Sequence, residues 1–122
     1  MFNHVGIKVS HFQKAFAFYK AALAPLGYEA QSVDLDGKNA GFGPKGSPAL
    51  WVGEGKATKV LHLAFESPDR ASVKRFYDAA LAAGGKDNGE PGPRPDYGPT
   101  YYAAFVIDPD GNNVEAVTVK KG

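Results

Sequence analysis

The chain has no cysteine and only three histidines in 122 residues. Without thiols there is no disulfide, no cysteine nucleophile and no thiolate metal site, so any metal must be held by imidazole and carboxylate. An excess of one charge is also missing. Lys and Arg number 14 against 13 Asp and Glu, for a net charge of +1, and the two signs are interspersed, which excludes a polyanion such as nucleic acid as the expected partner. Long apolar runs are absent too. None approaches the roughly 20 residues that span a bilayer, and the amino terminus lacks the charged-then-apolar layout of a secretory signal. No membrane partner is expected, and the cytoplasm is the expected location. What remains is ordinary globular material, 43% apolar and 22% charged, long enough for one domain that buries roughly two-thirds of its unfolded surface.

The most informative feature is internal repetition. Shifted by 58 residues, from position 4 to position 62, the sequence aligns His4-Val5 with His62-Leu63 and Phe18-Tyr19 with Phe76-Tyr77. The same shift aligns Ala21-Ala22-Leu23-Ala24 with Ala79-Ala80-Leu81-Ala82, and Gly27 with Gly85. Matches in one order with no gap indicate two homologous modules, 1–57 and 58–122.

Each module opens with a strand. From Phe2 to Val9, Val5, Ile7 and Val9 share one face while His4, Gly6 and Lys8 share the other; from Val60 to Glu66, Leu61, Leu63 and Phe65 oppose His62. This period of two is that of a half-buried strand, and it points both histidines away from the helices. Ser10 with Gln13 reads as a capping box before an apolar stripe of Phe12, Phe16, Tyr19, Leu23 and Leu26. The second helix is expected to start at Ser67 as N-cap, with Pro68 at the first helical position, and to stop at Gly84-Gly85. Three strands are expected after each helix. In the first module they fall near Tyr28 to Leu35, Lys38 to Phe42 and Ala49 to Val52. In the second, Tyr101 to Ile107 and Asn113 to Val119 flank Asp108-Pro109-Asp110-Gly111-Asn112 as a tight hairpin. The proline- and glycine-rich stretch Lys86 to Thr100 reads as an irregular loop.

On the last strand Glu115 alternates among apolar residues, where an unpaired carboxylate is costly to bury. A metal ion removes that cost. One histidine at a strand start is ordinarily structural, but two at equivalent repeat positions, with Glu115, form a set of two imidazoles and a carboxylate suited to Fe, Mn, Zn, Ni or Co. Tyr101 and Phe105 share a strand face, and with Trp51, Arg94 and Tyr97 they are the candidate substrate pocket, Tyr101 doubling with Glu115 as a candidate catalytic residue.

The runs His4-Val5-Gly6-Ile7-Lys8-Val9-Ser10, Ala17-Phe18-Tyr19-Lys20-Ala21-Ala22-Leu23 and Asp108-Pro109-Asp110-Gly111-Asn112-Asn113-Val114-Glu115 resemble the glyoxalase, bleomycin-resistance and extradiol-dioxygenase superfamily, also called vicinal oxygen chelate proteins. The resemblance covers nearly the whole chain. It implies an α+β fold of two tandem βαβββ modules forming a curved, cupped mixed sheet with helices on the outer face. It also implies a divalent metal bound in the cup, a small oxygen-chelating substrate and a homodimer. Activities in such proteins include isomerisation and other lyase chemistry, ring-opening dioxygenation, thiol transfer and epimerisation, while some members sequester a drug without metal. Glyoxalase I looks to use a fourth protein ligand on the last strand of the first module. The shift of 65 residues that carries position 115 to position 50 puts Leu50 there, with Glu54 of the same strand parity as a register-shifted substitute. Three ligands, His4, His62 and Glu115, resemble the set of extradiol dioxygenases and thiol transferases. Gly6 and Phe105 stand where the latter are expected to carry threonine and tyrosine.

Overall fold

The computed structural model describes residues 2–58 and 60–122. The first module runs β1 (Val5–Val9), α1 (Phe12–Leu23), a 3-10 turn (Ala24–Leu26), β2 (Glu29–Asp34), β3 (Asn39–Gly43) and β4 (Leu50–Glu54). The second repeats the order with β5 (His62–Glu66), α2 (Arg70–Ala82), β6 (Lys86–Pro93), β7 (Tyr102–Ile107) and β8 (Asn113–Thr118). Two tandem βαβββ modules and an α+β fold are as expected. The strands form two four-stranded sheets, ordered β1-β4-β3-β2 and β5-β8-β7-β6, and neither is closed. In each, the first strand lies parallel to the last and the remaining pairs are antiparallel. The first and last strands of a module are therefore side by side, and this is what brings residues far apart in sequence onto one sheet face.

Both helix starts differ from the expected caps. The Ser10 hydroxyl bonds the Asp110 carboxylate, and its amide reaches Asp110 Oδ2 at 3.2 Å. With Ser10 so engaged, His11 becomes the N-cap and makes no side-chain cap bond. The amide of Phe12 is satisfied from β4, where Glu54 Oε2 accepts it at 3.0 Å. At α2 the cap is Asp69, whose Oδ1 accepts the Ser72 amide at 2.8 Å, while the Ser67 hydroxyl donates to the Asp69 carbonyl. The loop expected over Lys86 to Thr100 is a strand for its first part. β6 pairs with β7 through two irregularities, between Asp87 and Gly89 and between Gly89 and Gly92. An edge strand tolerates proline because one of its sides needs no ladder bonds, and bulges absorb the residues that do not fit.

The helix-covered faces of the two sheets share one apolar core, which includes Phe12, Phe18, Leu23, Phe42, Phe76 and Val114. The Phe18 ring lies so close to Gly85 that a Cβ there would meet it at 2.7 Å, whereas Gly27, its repeat equivalent, has open space around it and is required by a left-handed backbone at φ 90°. Within this core sits one carboxylate. Asp108 is 4% exposed, and its Oδ1 accepts the amides of Asp110 and Asn112, both at 2.9 Å. Its Oδ2 accepts the Tyr19 hydroxyl at 2.5 Å and Asn112 Nδ2 at 2.9 Å. Asn112 Oδ1 in turn accepts the Leu61 amide at 2.8 Å at the start of β5. The Asp-Pro-Asp-Gly-Asn hairpin thus ties α1 of one module to β5, β7 and β8 of the other. Burial, reinforced by the Asp108 charge, holds the Tyr19 phenol protonated far beyond the usual tyrosine range.

A hydrogen bond to a buried charged group contributes about 1.5–3 kcal/mol. Tyr19→Phe is expected to lower the unfolding free energy by about that amount in a urea titration. Asp108→Asn is expected to cost more, because it turns an amide N–H toward groups that are already donors.

Candidate metal centre

Parallel pairing of β5 with β8 sets His62 beside Asn113 and Ala64 beside Glu115, while β7 sets Phe105 across from Glu115. His62, Glu115 and Phe105 consequently share the sheet face that the helices leave uncovered. His62 Nε2 lies 2.9 Å from Glu115 Oε1. The Tyr101 hydroxyl, just before β7, donates to Glu115 Oε2. The carboxylate is 2% exposed, whereas half of the His62 side chain is open to solvent. Glu115 is therefore a buried acceptor whose one approachable side is the imidazole.

The imidazole is oriented by Asn113, a residue the sequence patterns do not single out. His62 Nδ1 lies 3.2 Å from the Asn113 carbonyl, which can only accept, so Nδ1 carries the hydrogen. In the neutral ring Nε2 then presents a lone pair to a carboxylate oxygen. Two acceptors at 2.9 Å repel unless a cation lies between or beside them, either a proton on the ring or a metal ion. Imidazole Nε2 and carboxylate are also the hard-to-borderline donors that divalent transition ions take, with the Nδ1–H to carbonyl bond as the usual outer support. The donor pair fits such an ion.

Around the pair lie the other candidate residues of this module. The Phe105 ring stacks against His62 with centroids 6.3 Å apart, and the Arg94 guanidinium lies 5.4 Å from the Phe105 centroid. Tyr97 packs edge-on against Tyr101 at 5.3 Å and is otherwise exposed. His62, Glu115, Tyr101, Phe105, Arg94 and Tyr97 therefore form one patch. Desolvation first, and then the hydrogen bond and charge of Glu115, push the Tyr101 phenol up to about 12.

The first module carries the remaining candidates. His4 bonds Asn3 Oδ1 at 2.8 Å and lines a cavity of about 550 Å³ between the modules. Val5, Phe42 and Leu50 from one sheet and Leu63 and Phe65 from the other line the same cavity, so the helix-covered faces converge there. Among the described residues no three His, Cys, Asp or Glu side chains gather into a metal-holding group, and His4 does not join His62 and Glu115 within the chain. The position equivalent to Glu115 needs correcting by one residue. Gly6 pairs with Trp51 as Ala64 pairs with Glu115, so Trp51 occupies that position, while Leu50 pairs with Val5 and is buried in the core. Glu54 is engaged with the Phe12 amide and with Lys38 at 3.2 Å, which accounts for its carboxylate. Trp51 stands over Gly41, where any Cβ would meet its ring at 2.9 Å.

The profile of the Glyoxalase/Bleomycin resistance protein/Dioxygenase superfamily matches residues 1–116. The chain belongs to this superfamily. Its fold is that of a glyoxalase/bleomycin resistance protein from Albidiferax ferrireducens T118, at 28% identity over 96% of this chain and 98% of that one, with a TM-score of 0.78. A glyoxalase/bleomycin resistance protein/dioxygenase family enzyme from Burkholderia phytofirmans PsJN shares the fold at 17% identity, with 97% and 98% of the chains covered and a TM-score of 0.70. Glyoxalase I from Zea mays does so at 21% identity and a TM-score of 0.66, with 99% of this chain on 45% of that one. No curated protein matches the chain in sequence. Within the matched region the Asp-Pro-Asp-Gly-Asn element ties the two modules, with Glu115 three residues beyond it. No helix among the described residues is long and apolar enough to cross a membrane.

Because the fold favours the neutral phenol, the stabilisation from Tyr101 is complete below pH 10.0, the ordinary tyrosine value, and drains away as pH rises toward about 12. In metal-free protein the Tyr101 Cζ resonance is expected to titrate near that upper value. In Glu115→Gln, which removes the charge while keeping the shape, its midpoint moves back toward 10.0.

Proposed function

We propose that this protein is a small metal-dependent enzyme acting on an oxygen-chelating substrate. Its metal centre is completed across a homodimer, with His62 and Glu115 from one subunit and His4 of the partner subunit. The observation that carries the metal is His62 Nε2 and Glu115 Oε1 facing each other at 2.9 Å, with the other carboxylate oxygen already taken by Tyr101. The dimer is supported by the edges. β1 and β5 each pair on one side only, and they are the strands that carry His4 and His62 at their amino-terminal ends. Thr58 covers the outer side of β1 at Lys8, and the Tyr28 hydroxyl covers the carbonyl of Glu66 on β5; among the described residues this leaves Gly6 and Ala64, equivalent residues of the two modules, as the open stretches. Free edges of matched length are sites for pairing with a second chain.

When bound, a divalent ion there supplies Lewis-acid polarisation of a substrate carbonyl or enediolate oxygen. Glu115, buried and oriented by Tyr101, holds its donor oxygen in place, and Tyr101 stays a proton donor throughout the neutral range. His62 is fixed by Asn113 with Nε2 directed at the centre. Trp51 at the place of a fourth ligand leaves three protein donors, which favours lyase or isomerase, dioxygenase or thiol-transfer chemistry with open positions over a four-ligand glyoxalase I.

His4→Ala and His62→Ala are each expected to weaken binding of Zn or Mn by more than about tenfold, measured by metal analysis after dialysis. Unfolding and refolding the two variants together restores binding in the mixed dimers, each of which regenerates one intact site. Full metal retention in both single variants sinks the metal centre; failure of the mixture to recover any binding sinks its sharing between subunits.

A second reading, a metal-free small-molecule or drug-binding protein, is favoured by one observation. Trp51 forms a flat aromatic plate on the uncovered face of the first sheet, seated on Gly41. It is the only tryptophan. On the enzyme reading, flat cationic ligands leave its fluorescence unchanged in protein stripped of metal by a chelator. Saturable quenching under those conditions selects the binding protein instead.

A further inference from the structure

The patch beside His62 and Glu115 contains a cation that no acidic group neutralises. Arg94 is half-buried, and among the described residues no carboxylate lies within ion-pair distance of it. Its guanidinium is nonetheless held in place. Nη2 donates to the Glu90 carbonyl at 2.7 Å and Nη1 to the Pro93 carbonyl at 3.3 Å, while the plane rests near the Phe105 ring. The strand is shaped to receive it. A Cβ on Gly89 would meet Nη2 at 3.3 Å and one on Gly92 would meet Nη1 at 3.1 Å, so both bulge glycines form the notch in which the fork lies. Gly89 also pairs opposite Phe105, which places the notch on the face that carries Glu115.

Two carbonyls occupy part of the fork, and the other N–H groups have no protein acceptor among the described residues. An immobilised guanidinium with free N–H groups is preorganised for a planar oxyanion, since the ordering that weakens most surface arginine pairs is already complete. Arg94 and His62 border the same Phe105 ring, so the charge lies within one aromatic side chain of the donor pair. We propose that Arg94 anchors a carboxylate of the substrate. The class that fits is a small chelator with two adjacent oxygens at one end and a carboxylate at the other, its body lying against Phe105. The carboxylate anchor stands on the Arg94 geometry alone; assigning the other end to chelation rests on the metal centre proposed above.

The test compares 3,4-dihydroxybenzoate with catechol, which share the chelating pair and differ in the remote carboxylate. By calorimetry on the Mn-loaded dimer, the acid is expected to bind about tenfold or more tightly than catechol, the scale of a charge-assisted hydrogen bond. Arg94→Met removes the difference between the two ligands. Arg94→Lys recovers only part of it, because an ammonium cannot offer the planar fork. Equal binding of the two ligands by the wild type, or a preference that survives in Arg94→Met with an unaltered melting temperature, overturns the anchor. A separate arm uses metal-free protein and benzoate, following the Nε–H signal of Arg94 by NMR. A saturable shift of that signal supports the anchor even if metal binding fails, and its absence counts against the anchor even if metal binds.

Discussion

The buried carboxylate of Asp108 joins what would otherwise be two weakly related halves. Each module alone is four strands and one helix with a single apolar face, too little to bury its own core well. Asp108 accepts from Tyr19 on α1 and from two backbone amides and one side-chain amide of its own hairpin, and Asn112 passes the connection to β5. A charge at that depth is tolerable only when fully hydrogen-bonded, so the arrangement around it is close to all-or-none. The relative placement of α1 and the second sheet follows from it, and so does the start of β8, two residues before Glu115.

From that fixed point the site follows by register. Parallel pairing of the first and last strands brings His62 and Glu115 together from opposite ends of the module, with no loop involved. The pair therefore sits on strands, and the segment from Arg94 to Tyr101 supplies what surrounds it: Tyr101 against the carboxylate, Tyr97 against Tyr101, and Arg94 in the bulge notch. The same pairing rule in the first module puts Trp51 beside Gly6 on its uncovered face, an aromatic plate where the second module has a carboxylate. The duplicated modules have thus diverged at the one position where their chemistry differs most.

Helix ends show how tertiary contacts replace local ones. Ser10 has the side chain of an N-cap and sits at the right place for one, yet Asp110 from the other module takes its hydroxyl, and Glu54 from a neighbouring strand serves α1 instead. The exchange satisfies the same backbone donors with groups that also link elements, which a purely local cap cannot do.

The duplication, the tandem βαβββ order, the strand face of His62 and the membership of Glu115 in an apolar strand were all legible from period and spacing, because they depend on local alternation and on self-similarity. Other features needed the folded chain. The shift of 65 residues, taken from the hairpin turns, placed Leu50 where Glu115 stands, but pairing with β1 sets the position at Trp51, since turns of different length absorb one residue and strand pairing does not. β6 read as a loop because its prolines and glycines break local propensity, and only the β7 ladder with two bulges makes it a strand. Asn113 gains its contact with His62 from facing it across the sheet. Alternation within a strand is a property of the sequence, whereas the partner across the sheet is decided by non-local hydrogen bonds, and the separation of His4 from His62 and Glu115 within one chain is a fact of that second kind.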